Sequence, residues 1–182
     1  MAGLDLDGVD GGMTNDEGVE VARILEQEGA DALVLSGGFV SKCPFYMMRG
    51  DVPMMELIKR LPGVLNKAGI ALLGRVLVTK FPFTEAFFLA EALGVRAAVK
   101  LPLALVGGIR SLDAMEDVLG RGFDAVAMAR ALLIEPDFVR RLERGETRQT
   151  RCVPCNECVA TMYTGEAVCL PITQGREPRL RG

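Results

Sequence analysis

The segment Cys152-Val-Pro-Cys155-Asn-Glu-Cys158 sets three thiols at intervals of three residues, and a fourth, Cys169, follows after a gap. Closely spaced thiolates can converge on one face of a metal centre, and a fourth from a separate loop completes an all-cysteine ligand set. A triplet plus a singlet suits a 4Fe-4S cluster better than zinc, which usually takes two separate Cys-x2-Cys knuckles. A four-thiolate zinc site and a set of free thiols remain open alternatives. Cys43 has no such neighbour and reads as a small buried hydrophobe.

A second constellation joins Val106-Gly-Gly-Ile-Arg-Ser111 to Met128-Ala-Arg-Ala-Leu132. Glycines let a backbone approach an anion closely, and amides at the start of a following helix point towards it. Arginine adds a permanent cation that grips phosphate through two parallel N–H bonds. Gly107, Gly108, Ala129 and Arg130 are therefore candidates for a phosphate site of the kind formed by the loops after the last two strands of a (βα)8 barrel. The plain alternative is a tight turn plus a surface arginine that pairs with Glu135 or Asp137. The acidic opening, Asp5 to Asp10, fails the EF-hand pattern because Asp10 stands where glycine is needed, and it reads as a solvated loop. The chain has no histidine, which excludes Ser-His-Asp and Cys-His catalysis by its own side chains. No catalytic residue is assigned, and the chemistry must lean on a cofactor.

The elements that would position these residues follow a helix-and-strand rhythm. Thr14 and Glu17 form a capping-box pattern before Val21, Ala22, Ile24 and Leu25, whose spacing predicts an amphipathic helix ending at Gly29. Asp31 to Gly38 is a short apolar run stopped by two glycines, as expected of a strand buried on both faces of a parallel sheet. Glu85 to Lys100 reads mainly as helix, with Phe88, Leu89 and Leu93 as core. Leu101 to Val106 reads as strand, Ser111 to Leu119 as helix, Asp124 to Met128 as strand and Pro136 to Arg144 as helix. Gly29-Ala-Asp-Ala-Leu-Val-Leu35 is echoed by Gly122-Phe-Asp-Ala-Val-Ala-Met128, as two equivalent βα units would produce. The stretch from about 39 to 80 reads as an elaborated βα loop. Met47, Met48, Met54 and Met55 and the basic residues Lys42, Arg49, Lys59, Arg60, Lys67, Arg75 and Lys80 make it either a substrate-facing lid or methionine-rich packing with a solvated basic face.

Composition bounds the answer. At 182 residues and 49% hydrophobic, the chain can bury a core but is short of the roughly 250 residues of a full (βα)8 barrel. A net charge of -3 gives no reason to invoke nucleic acid or an anionic membrane. No uncharged apolar run approaches the ~18 residues that span a bilayer. The acidic, glycine-rich start lacks the pattern of a secretory signal, so a cytoplasmic, reducing location is expected, where clustered cysteines favour metal or redox chemistry over disulfides.

Together these residues resemble the NADH:flavin oxidoreductase, or Old Yellow Enzyme, family. The resemblance runs through Gly11-Gly-Met-Thr14, Ala32 to Val40, Pro44 to Asp51, Leu105 to Ile109, Ala127 to Leu132 and the Cys152 to Cys169 tail. It implies an α/β fold, the C-terminal half of a TIM (βα)8 barrel over residues 1–150, followed by a cysteine-rich tail at 151–182. It implies FMN with its phosphate near Gly107, Gly108, Ala129 and Arg130, and a 4Fe-4S cluster on Cys152, Cys155, Cys158 and Cys169, as in the branch similar to trimethylamine dehydrogenase and 2,4-dienoyl-CoA reductase. NAD(P)H and a small-molecule substrate would be the partners of the complete enzyme, with an N-terminal half-barrel or a second copy completing the fold. Where the family tends to carry a basic residue facing the flavin ring, this chain has Ala2, Gly3 and Leu4. The competing expectation is a noncatalytic half-barrel that binds metal or complements a partner.

Overall fold

A computed structural model describes residues 3–4, 12–38, 45–60, 63, 78–162, 165 and 167–180. The acidic opening loop, Ala2, Gly11, Lys42, Cys43, Pro44, Lys67 and Arg75 lie outside the described residues. The chain divides into two compact units: residues 1–47 with 84–128, and residues 48–83 with 129–182. The segment read as an elaborated loop and the cysteine tail thus fall mainly in the second unit.

The first unit is mixed α/β around a four-stranded parallel sheet in the order β1 (Gly3–Leu4), β2 (Leu33–Gly37), β3 (Leu103–Val106) and β4 (Ala125–Ala127). Helix α1 (Asn15–Gln27) starts where its sequence signal lies. Glu17 N donates to Thr14 Oγ1 at 3.3 Å and Thr14 N donates to Glu17 Oε2 at 2.7 Å, satisfying two amides that helix geometry leaves unpaired. The chain leaves the helix through Gly29 in the left-handed region at φ +88°. Helix α3 (Leu89–Ala98) precedes β3, and α4 (Leu112–Gly120) lies between β3 and β4. The expected helix from Glu85 begins only at Leu89, because residues 85–88 form a turn in which Ala86 takes φ +49°.

Parallel strands in sequential order need crossovers that all step the same way, and right-handed crossovers then put their helices on one face. Burial follows this rule. Leu33 and Leu35 of β2 and Leu103 and Leu105 of β3 are buried with Ala22 of α1, Ala92 and Val95 of α3, and Met115 and Val118 of α4. On the opposite face, the register aligns Val34 with Ala104 and Ala104 with Ala125, and Val34 stays 40% exposed. The expectation that β2 is buried on both faces is therefore corrected: the strand alternates, and only the face towards the helices is covered.

The second unit is built from short helices: α2 (Met54–Arg60), α5 (Arg130–Ile134), α6 (Phe138–Glu143), α7 (Val159–Met162) and α8 (Leu170–Thr173). Ion pairs reach two buried carboxylates here, one within α2 and one between loop residues. Lys59 pairs with Glu56 at 2.7 Å and Lys80 with Asp51 at 2.8 Å, so these two basic residues do not form a free basic face. No helix among the described residues is long and apolar enough to cross a membrane.

Candidate metal centre

Cys152, Cys155, Cys158 and Cys169 line a single pocket within the second unit, enclosing about 310 Å³ including its open side. Leu133, Ile134, Val153, Pro171 and Pro178 give it apolar walls, and Arg130 and Asn156 are its other polar members. All four thiols are free. Among the described residues no group of three or more His, Cys, Asp or Glu side chains is set to hold a metal ion, so the pocket gathers the four donors without closing them on one ion. As a donor set it fits a thiolate-bound centre: soft ligands, largely apolar walls and a cation beside them.

Local hydrogen bonds bring the thiols together. Cys152 N donates to Thr150 Oγ1 at 3.2 Å and Cys155 N donates to Val153 O at 2.7 Å, folding the first half of the loop back on itself. Asn156 then takes the left-handed region at φ +57°, where asparagine is tolerated better than most residues, and the chain turns into α7. Thr161 in α7 donates its hydroxyl to Cys158 O at 2.7 Å and accepts from Val168 N at 3.5 Å. That link returns the chain to Cys169, just before α8.

The cysteine loop is tied to a distant stretch of sequence through Asn156, which is only 1% exposed. Its Nδ2 donates to Arg49 O at 3.0 Å and to Asp51 O at 2.8 Å, while its Oδ1 accepts from Arg130 Nη1. Asp51 N donates to Pro154 O at 2.9 Å. Gly50 has to be glycine: its φ is +109°, and a Cβ there would stand 2.3 Å from Pro154 O. Behind the loop, buried Glu135 accepts from Thr150 Oγ1 at 2.5 Å, Arg151 N at 2.6 Å and Arg141 Nη1 at 2.8 Å. Burial alone would raise its carboxyl, but these three bonds and the Arg141 charge outweigh it and hold the group below its ordinary value.

Burial dominates the thiols. It pushes Cys152 up to about 11 against the opposing pull of Arg130, and it also raises Cys155 and Cys158. A metal entering this pocket must displace protons.

The candidate phosphate residues are divided between the units. Gly107 and Gly108 lie in the first unit at φ +134° and +71°. A Cβ on Gly107 would stand 2.7 Å from the Phe88 ring, and one on Gly108 would stand 2.6 Å from the Phe87 ring. The two glycines are thus accounted for by their own packing, without an anion. Ser111 caps α4 by accepting from Ala114 N at 3.2 Å and donates its hydroxyl to Glu85. Ala129 and Arg130 lie in the second unit, at the start of α5. Glu135, named as a possible partner of Arg130, is engaged by Arg141 instead.

Asn156 and Thr161 did not stand out in the sequence, and Glu135 did so only as a possible partner of Arg130. The one available signal was an asparagine inside the Cys155-Asn-Glu-Cys158 spacing, a residue type suited to a left-handed turn between ligands.

No protein-family model matches this sequence. The chain is similar to a 4,4'-dithiodibutanoate disulfide reductase of Rhodococcus erythropolis, 39% identical over 160 residues that make up 87% of this chain and 40% of that protein. It is similar to an NADH oxidase of Thermoanaerobacter brockii, 26% identical over 150 residues, 81% of this chain and 18% of that protein. A bilirubin reductase of Mediterraneibacter gnavus is 38% identical over 65 residues, 35% of this chain and 10% of that protein. The chain therefore spans less than half the length of each of these relatives.

Proposed function

We propose that this chain is the cluster-bearing part of an FMN-dependent oxidoreductase, with Cys152, Cys155, Cys158 and Cys169 as ligands of a 4Fe-4S centre. The observation that carries the reading is the gathering of all four thiols on one apolar-walled pocket beside Arg130. The names of the similar proteins, a disulfide reductase, an NADH oxidase and a bilirubin reductase, support redox chemistry of the same general kind. When bound, a cluster passes single electrons and a flavin exchanges them for hydride.

The chain's own residues would do the holding and shielding. Asn156 and Thr161 set the cysteine loop, Leu133, Ile134 and Pro171 give the thiolates apolar neighbours, and Glu135 braces the entry to the loop. Gly107, Gly108, Ala129 and Arg130 are the proposed neighbours of the FMN phosphate, on the strength of the family resemblance. The parallel sheet in sequential order, with helices on one face and Val34, Ala104 and Ala125 on the other, supports reading the first unit as part of a (βα)8 barrel. In the complete protein NAD(P)H and a small-molecule acceptor would be the substrates, and a further half-barrel or a second copy would complete the fold in a cytoplasmic setting. The test is anaerobic purification followed by acid release of bound flavin and stopped-flow addition of NADH. FMN in the supernatant and bleaching of a flavin band by NADH are expected. A chain that binds no flavin, alone or mixed with the matching N-terminal part of a relative, would overturn the flavoenzyme reading.

A further inference from the structure

We propose that Arg130, fixed by the Asn156 carboxamide, is the resident counter-charge of the cysteine site, a positioning residue that makes the bound cluster easier to reduce. The inference rests on the reading of the four cysteines as cluster ligands. Arg130 lines the same pocket as all four thiols, and the rest of the wall is apolar apart from Asn156. Its placement is determined by its partner. Both carboxamide donor bonds of Asn156 run to backbone oxygens, Arg49 O at 3.0 Å and Asp51 O at 2.8 Å. The amide group is therefore locked in orientation, and its one acceptor atom faces Arg130 Nη1.

The buried acid on this loop, Glu157, is paired with Arg176 at 2.8 Å. Four thiolates on an iron-sulfur core leave a net anion, and one-electron reduction adds a further negative charge without making or breaking a bond. A fixed cation favours the more negative state, and apolar walls strengthen the effect. The guanidinium is thus assigned to the cysteine site in place of the phosphate grip expected of it from the sequence, which leaves only its backbone amide for a phosphate.

The test uses the full chain loaded with iron and sulfide under anaerobic conditions, reduced stepwise with dithionite and followed by electron paramagnetic resonance. Arg130→Gln is expected to lower the equilibrium constant for one-electron reduction on the order of tenfold, about 59 mV. Arg130→Lys should recover most of that loss, and Asn156→Gly, which tolerates the left-handed backbone but removes the carboxamide, should shift the potential the same way by less. If Arg130→Gln fails to load, the lysine and glycine variants carry the comparison. A loaded cluster whose potential is unchanged across the variants overturns the role of Arg130 alone. A wild-type chain that takes up no iron overturns the cluster reading and this inference with it.

Discussion

Glu135 stands behind the cysteine loop and accepts three hydrogen bonds, two of them from the segment that leads into Cys152. Its folded-state carboxyl is held below the ordinary 4.5, so the unfolded chain takes up a proton there first as the pH falls. The stabilisation is present above that value and is lost as the pH drops through the lower folded value. Glu135→Gln should cost about 1–3 kcal/mol at neutral pH, since it removes charge-assisted bonds inside a buried site. Urea melts of both proteins should differ at neutral pH and converge in acid; a difference that persists in acid would contradict the assignment. At this scale the sequence was informative about the ligands and silent about their supports. The cysteine spacing is visible in one dimension, whereas Asn156 acts through carbonyls more than a hundred residues away.

Among the elements, those set by local chemistry were legible. The Thr14 capping box, the strand ending at Gly37, the strand before Gly107 and the helix capped by Ser111 all lie within a residue or two of expectation. Contacts distant in sequence were not legible. The turn before α3 places Phe87 and Phe88 edge to face, with ring centroids 4.6 Å apart, against the loop after β3. The Gly107-Gly108 signal therefore has a packing cause that spacing alone could not separate from anion binding. Two alanine substitutions distinguish backbone strain from collision. Gly29→Ala meets no atom within 4 Å and faces only its φ of +88°, a cost of about 1–2 kcal/mol. Gly107→Ala adds a clash at 2.7 Å with Phe88 and should cost about 2–4 kcal/mol. Equal losses in thermal melts would show that the ring contact is not tight.

For the molecule as a whole, the division into two units explains why the sequence order of barrel-like strands and tail did not reveal the grouping of residues 48–83 with 129–182. Each unit makes its own prediction. In the first, the face carrying Val34, Ala104 and Ala125 would point into a barrel interior, so the chain should self-associate as its concentration rises, and Val34→Glu should weaken association without lowering helix content. Sedimentation of a monomer at all concentrations would count against the half-barrel. The second unit carries the central claim, that four cysteines hold one iron-sulfur cluster. Iron, acid-labile sulfide and zinc should be counted on the anaerobically purified chain and on Cys169→Ser. A brown wild-type protein with about four iron and four sulfide per chain, and loss of both in the variant, is the expected result; a colourless protein carrying one zinc, or no metal at all, would contradict the cluster.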